Sequence, residues 1–369
     1  MSDLYPPGRL ARAQEQARRH GVDALLLTPG ADLRYLTGYD ALPLERLTCL
    51  ALPAEGDPFL VVPRLEQPAA QASPAAYLGI DIVSYDEEED AYALVAARIG
   101  TPSRVGLANR MWAEQVLAFG AALPGARQGL AGPVLRELRI RKSPAEVEAL
   151  RRAGQAIDRV HEAMAGWLRP GRTEAEVGHD IADAIVAEGH TAVNFVIVAA
   201  GPNGASPHHQ TGGRVIEAGD AVVVDIGGTT GDGYCSDETR TYAVGEPPAG
   251  FADYYEVLRH AQEAACAAVT PGITAAEVDA AARDVIGAAG YGEYFVHRTG
   301  HGIGLEEHEE PWIVAGNDEP LEMGMAFSIE PGIYLPGRHG ARIEDIVVCT
   351  ETGADRLNLV QRELLVVAG

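Results

Sequence analysis

Positive charge is scarce in this chain. Its 369 residues carry 53 acidic side chains against 29 basic ones, a formal net charge of -24, and Lys142 is the only lysine. Nucleic acid and anionic membrane surfaces both demand clustered basic side chains, so neither is expected as a partner. Solubility is the plain reading of the acidity, and genomic base composition explains the preference for arginine as well as any function does. Cysteine is also sparse. Cys49, Cys235, Cys266 and Cys349 are scattered without a C-x-x-C pair, which excludes a disulfide framework and fits free thiols in a reducing compartment. Long apolar runs are missing, and Met1-Ser2-Asp3 opens no basic and apolar leader. The expected location is cytoplasmic.

What the chain does have is an internal repeat. Glu217 to Gly227 reads E-x-G-x-A-x-x-x-D-x-G and Glu322 to Gly332 reads E-x-G-x-A-x-x-x-E-x-G, which lays Asp225 on Glu330. Upstream of each copy, Pro170 to Val177 and Pro271 to Val278 both read P-G-x-T-x-A-E-V. Thr173 with Glu176, and Thr274 with Glu277, have the spacing of a capping box, so each half starts a helix there. Short apolar runs, Val222 to Val224 and Ala326 to Ile329, then lead into the two acids and read as strands. Strand ends carrying acids in a duplicated unit would meet near a pseudo-twofold axis. Their repulsion needs a positive partner, and a metal ion is the natural one.

A length of 369 residues suits two domains. Ser143-Pro144-Ala145-Glu146 combines an N-cap, a first-turn proline and a capping-box glutamate, so a long helix with Val147, Leu150, Ala153, Ile157 and Val160 on one face starts there. Residues 1–138 form the expected first domain and 139–369 the second. In the first, Arg9 to His20 and Ala91 to Ile99 read as helices, and Ala24 to Thr28, Leu47 to Leu52 and Phe59 to Val62 as strands. It shows no cluster with ligand spacing, so packing, oligomerisation or covering a site elsewhere is its expected role.

Chemistry concentrates between His208 and Glu344. A hairpin turned by Gly227 to Gly231 would bring Asp237 to Asp225, and Glu344 follows Glu330 in the second half. His301 lies in Gly-His-Gly, where the glycines permit close approach of backbone or ligand. Four carboxylates and one imidazole suit manganese, cobalt, iron or zinc, and carboxylates that reach two ions suit a dinuclear centre. Each acid alone would be read as a turn former or a solvated group. The run Glu306 to Glu310 is read as a solvated face, with His308 as a surface ion-pair partner in the blander alternative.

These residues together resemble the pita-bread metallopeptidases, the family of prolidase, aminopeptidase P, methionine aminopeptidase and creatinase. The motifs are Val224-Asp225-Ile226-Gly227, Ser236-Asp237-Glu238-Thr239-Arg240, Gly300-His301-Gly302, Ile329-Glu330-Pro331-Gly332 and Arg342-Ile343-Glu344-Asp345. The resemblance implies an α+β fold: a pita-bread domain with an internal pseudo-twofold repeat, behind a smaller mixed α/β creatinase-like N-terminal domain. It implies Asp225, Asp237, His301, Glu330 and Glu344 as ligands of two divalent ions, with manganese first and cobalt or zinc as alternatives. It further implies His208, His297 and His308 as substrate and transition-state contacts, Glu330 as proton acceptor, and supporting roles for Arg342 and Tyr334. Within the pair His208-His209 the resemblance puts His208 first and His209 as the bystander, a choice that the sequence leaves open. The implied reaction is hydrolysis of Xaa-Pro bonds in small proline-containing peptides by a metal-bridging hydroxide. A prolidase is the first expectation and aminopeptidase P, acting on longer peptides, the alternative. A creatinase-like hydrolase and a non-catalytic peptide-binding relative are disfavoured by the intact ligand set. A homodimer or higher homo-oligomer is expected.

Overall fold

The computed structural model describes residues 2–369 and divides into two compact units, one ending at Arg139 and the other starting at Ile140. The first unit is a six-stranded sheet flanked by short helices. Its strands are β1 (Ala24–Leu27), β2 (Cys49–Pro53), β3 (Phe59–Pro63), β4 (Asp81–Tyr85), β5 (Arg104–Leu107) and β6 (Arg127–Leu130), in the order β4-β3-β2-β1-β5-β6. β2 runs antiparallel to both β1 and β3, and the other pairs are parallel. Leu25, Leu26, Leu50, Leu60 and Val61 are fully buried, as strands covered on both faces require. The helix Ala91–Ile99 starts on Asp90, whose carboxylate accepts from the amides of Tyr92 and Ala93.

The second unit is built twice over. Its first half carries β7 (His190–Ala200), β8 (Ala221–Thr230) and β9 (Cys235–Val244), and its second half β10 (Gly300–Gly302), β11 (Glu309–Ile313), β12 (Ala326–Ile329), β13 (Gly332–Leu335), β14 (His339–Arg342), β15 (Asp345–Thr350) and β16 (Gly353–Arg356), with β17 (Leu365–Val367) returning beside β9. Capping boxes are complete at Ser143/Glu146, Thr173/Glu176 and Thr274/Glu277, where the helices Pro144–Glu162, Glu174–Ala187 and Ala275–Ala288 begin. Before each of the last two, a glycine with positive φ, Gly171 at 89° and Gly272 at 94°, donates to the carbonyl of Ile216 or Leu321. The duplicated helices bury matching residues: Val177, Ile181 and Ile185 under the first sheet, Val278, Ala282 and Ile286 under the second. Each fully buried valine or isoleucine contributes about 1.5–3 kcal/mol relative to exposure. These helices are therefore fixed platforms for the strands above them. The α+β class with an internal repeat is as expected.

The symmetry is incomplete. In the first half one hairpin, β8/β9, runs unbroken for ten residues on each side. In the second the same span splits, β12 pairing with β15 and β13 with β14. The hairpin turn also lies further on than expected, because β8 continues through Gly227 and Gly228 to Thr230. A Cβ on Gly227 would fall 2.5 Å from the Ser236 carbonyl and against the Phe195 ring, so close strand contact, and not a turn, accounts for this glycine. No helix among the described residues is long and apolar enough to cross a membrane.

Candidate metal centre

Two neighbouring strands present the first pair of acids. Asp225 stands opposite Thr239 and Asp237 opposite Gly227 in the β8/β9 ladder, so the two carboxylates are diagonal neighbours on one face. The second pair flanks strand ends: Glu330 directly follows β12, its amide bonded to the Thr299 carbonyl, and Glu344 directly precedes β15, its amide bonded to the Thr239 carbonyl. That last bond joins the two halves at the centre. His301 sits on β10 between β11 and β12. A Cβ on Gly300 would fall 1.9 Å from the Ser328 carbonyl and one on Gly302 2.3 Å from the Glu310 carbonyl. The glycines thus admit the neighbouring strands, which set the imidazole between them.

Asp225, Asp237, His301 and Glu344 are buried, and the Glu330 side chain is 15% exposed. His301 Nε2 lies 3.2 Å from Glu330 Oε1 and 3.5 Å from Asp237 Oδ2. Three overlapping triads have ligand atoms within 4.8 Å of one another: Asp225, Asp237 and Glu344; His301, Glu330 and Glu344; Asp237, His301 and His308. Burial first, then repulsion from Glu344, Asp225 and Glu330, pushes the Asp237 carboxyl well above its ordinary range. Glu344 is raised the same way, by burial and then by Glu330 and Asp225. Burial also opposes the charge of Glu330, but the His301 hydrogen bond and the positive charge around it bring that carboxyl down to about 2. Asp225 Oδ1 and Glu344 Oε1 are buried without a hydrogen-bond partner among the described residues. Orphaned oxygens facing crowded carboxylates are what a divalent cation satisfies, and the donor set fits one.

A second layer holds these groups in place. Thr239 Oγ1 donates to Glu344 Oε2 at 2.6 Å, and Ser328 Oγ donates to Glu330 Oε1 while accepting the His301 amide. Arg342 pairs with Asp225 through Nη2 and donates to the Tyr334 hydroxyl through Nη1 at 2.8 Å. Tyr334 in turn lies 2.8 Å from His297 Nε2, and His297 Nδ1 lies 2.7 Å from the Arg298 carbonyl. A carbonyl only accepts, so the His297 proton is on Nδ1 and Nε2 accepts from Tyr334. Burial lowers the His297 pKa, which agrees with a neutral ring.

All five expected ligands come together, with Arg342 among them and His297 reached through Tyr334. His308 is not a surface ion-pair partner. The residue is exposed at the rim, but its ring meets His301 edge to face at a centroid distance of 4.0 Å, and desolvation there, with His301 and Arg298 beside it, lowers its pKa to about 4. His208 is exposed on the loop after residues 201–205, next to Pro207, whose carbonyl accepts from Arg342. His209 turns away to Glu174. The acidic run is not a solvated face throughout: Glu309 forms a 2.6 Å ion pair with Lys142, with the two side chains 10% and 2% exposed. Sequence reasoning missed Thr239, Ser328, Glu174 and this ion pair, although a sole lysine in an acidic chain was a signal for the last.

Residues 148–351 match the profile of metallopeptidase family M24, more than half of the chain. The chain belongs to metallopeptidase family M24. Residues 9–141 match the creatinase/prolidase N-terminal domain, the companion module expected for the first unit. This M24 chain is 55% identical to the "probable dipeptidase PepE" of Mycobacterium tuberculosis, over 97% of this chain and 96% of the relative. It is 37% identical to an Xaa-Pro dipeptidase of Lactobacillus delbrueckii subsp. lactis, over 97% and 98%. The crystal structure of dipeptidase PepE from Mycobacterium ulcerans superposes with a TM-score of 0.92 at 56% identity, covering 98% of this chain and 97% of that one. An M24 metallopeptidase is an enzyme, and the acidic and imidazole cluster is the part of this one suited to divalent metal.

Proposed function

We propose that the chain hydrolyses Xaa-Pro dipeptides at a centre of two divalent ions held by Asp225, Asp237, His301, Glu330 and Glu344, with manganese as the working metal. The observation that carries this is the overlap of the ligand triads: Glu344 belongs to an all-carboxylate group and also to the His301 group. A carboxylate shared between two foci is what a bridged pair of ions uses. The ions, when bound, lower the pKa of water and polarise the scissile carbonyl.

The side chains around that chemistry have distinct tasks. Glu330 lies against His301 among the other acids, where its carboxylate can take the proton of the attacking water. His308 is neutral above about 4 and offers an N–H to the developing oxyanion without carrying a competing charge. Arg342, Tyr334 and His297 form one hydrogen-bonded chain along the site wall, and this chain fixes the His297 ring near Glu330. His208, on its exposed loop, contacts the substrate from the side that His297 and His308 share, since its charge bears on both rings. The leaving nitrogen of an Xaa-Pro bond is a tertiary amide with no N–H, so the site has to grip the flanking groups instead.

The test is to strip the protein with chelator, restore manganese, and compare proline release from an Xaa-Pro dipeptide with cleavage of an Xaa-Pro-Yaa tripeptide. Metal-dependent cleavage of the dipeptide alone is the expected result. Preference for the tripeptide would make the chain an Xaa-Pro aminopeptidase, and cleavage of neither would sink the proposal.

The same reading includes a cytosolic homodimer. All four cysteines are free thiols, which suits a reducing compartment. Leu42, Tyr77, Leu117 and Leu130 of the first unit are largely exposed, which suits pairing through that unit. Sedimentation of the intact protein is expected at twice its 39.0 kDa chain mass. A species at the chain mass across micromolar concentrations would refute the dimer.

A further inference from the structure

We propose that Glu174 and His209 act as a positioning pair for His208: the buried carboxylate fixes the loop 206–212 through His209, and so sets where His208 meets the substrate. This rests on the reading of His208 as a substrate contact.

Glu174 is the first residue of the helix Glu174–Ala187 and is fully buried. Oε1 accepts from the Ala200 amide at 2.8 Å and from Asn203 Nδ2 at 2.9 Å. Oε2 accepts from the Gly212 amide at 3.3 Å and lies 2.8 Å from His209 Nε2. Three of these partners are N–H donors, so the carboxylate accepts throughout and His209 donates from Nε2. All four come from the single stretch between Ala200 and Gly212, with His208 inside it. Thr211 fastens the same loop to β7 by donating to the Val196 carbonyl and accepting the Val198 amide. His208 is thus flanked by tied residues and is itself left facing solvent.

The internal repeat supplies a control within the molecule. Ala275 occupies the position of Glu174 in the second copy, equally buried, and the Thr274/Glu277 capping box there is complete without any carboxylate at that place. Starting the helix therefore does not require Glu174. Burying a carboxylate is costly unless its lone pairs are used, and in the first half they are used only on the segment that bears His208. In the second half the buried acid lies one helical turn later: Asp279 accepts from the amide and hydroxyl of Thr299 and pairs with Arg283, which holds the His297 carbonyl. Each repeat thus ties down its own histidine-bearing segment from the helix beneath, at different positions because those segments differ.

A contact that only positions another residue should lose its effect when that residue is gone. The experiment measures kcat and KM on an Xaa-Pro dipeptide, with bound manganese, for H208A, H209L, H209Q and H208A/H209L. H209L is expected to lower kcat/KM about 10- to 100-fold, the cost of misplacing a contact by about 1 Å, with metal content unchanged. H209Q keeps an N–H donor toward Glu174 and is expected to restore most of that loss. The double variant is expected within about twofold of H208A alone, as for two residues acting as one unit. Losses that add in full, or H209Q no better than H209L, would overturn the positioning role while leaving His208 as a contact. H208A at wild-type activity would instead remove the reading on which the inference rests, and with it the inference. Should H209L fail to fold, H209A against H209Q carries the same comparison.

Discussion

Asp237→Asn is expected to lower kcat/KM by at least about a thousandfold, roughly 4 kcal/mol of transition-state stabilisation, and to empty the site of metal, yet to stabilise the metal-free protein. The two effects have one origin. Asp237 belongs to two of the three ligand triads and lies between His301 and the other acids. With ions bound its negative charge is required, and an amide oxygen is a poor substitute for a carboxylate ligand. Without ions, burial and the charges of Glu344, Asp225 and Glu330 hold its carboxyl well above the ordinary 3.8. A carboxyl raised in the folded state binds protons that the unfolded chain has already released. Its contribution is fully present below the unfolded pKa and is lost as pH rises through the folded one. Asparagine has no proton to lose. Metal-free D237N is therefore expected to melt above metal-free wild type near pH 8, with the gap closing toward pH 4. Melting curves on chelated protein across that range, with metal analysis of the loaded forms, decide the matter. Full turnover with full metal content in D237N would end the assignment, and a pH-independent gap would end the electrostatic account.

The features that sequence alone located are those encoded within a few residues. Thr173 with Glu176 and Thr274 with Glu277 describe a helix start in four positions, and both capping boxes are present. The acids at the ends of the apolar runs were visible because the repeat placed Asp225 on Glu330. Errors arose where a local signal has a distant cause. Gly227 reads as a turn residue but sits in mid-strand, since the approach of Phe195 and Ser236 is invisible in its own neighbourhood. Glu309 reads as solvated, but its partner Lys142 is far away in the chain. The sequence marks Tyr334, Arg342 and His297 one by one, and only the fold shows the hydrogen-bonded chain that links them. The repeat also overstated the symmetry, because β12 to β15 do not reproduce the unbroken β8/β9 hairpin. Arg240, for example, falls opposite Val347 when Asp237-Glu238 is laid on Glu344-Asp345.

That asymmetry singles out Arg240 as the fastening between the halves, and Arg240→Met is expected to destabilise the protein by about 3–5 kcal/mol, the scale of leaving buried charges uncompensated. Next to two of the proposed ligands lies a second acid: Glu238 after Asp237 and Asp345 after Glu344, both fully buried. One guanidinium serves both, with Nη2 at 3.0 Å from Glu238 Oε1 and 2.7 Å from Asp345 Oδ1. Its Nη1 donates to the Glu344 carbonyl at 2.6 Å and its Nε to the Gln361 carbonyl at 3.0 Å. Methionine fills the volume but satisfies none of these acceptors. Asp345 keeps Arg356 and Gln262 as partners and Glu238 keeps Asn358, so the loss is bounded. Lysine is not expected to rescue, because a single ammonium cannot span the two carboxylates and the four carbonyls, of Thr239, Glu344, Val360 and Gln361, that the guanidinium fork reaches. Because the backbone bearing Glu344 loses its donor, metal affinity should also fall about 10- to 100-fold. Removing one of the stranded charges tests the cause: R240M/E238Q is expected to recover part of the lost stability, since burial already pushes the Glu238 carboxyl well above its ordinary range and makes it the costlier group to leave charged. Denaturant unfolding of the intact protein reads both effects. An R240M midpoint equal to that of the wild type, or a double variant less stable than R240M, would show that the apolar cores and the remaining ties, among them Thr239 to Glu344 and Arg342 to Asp225, hold the halves together without Arg240.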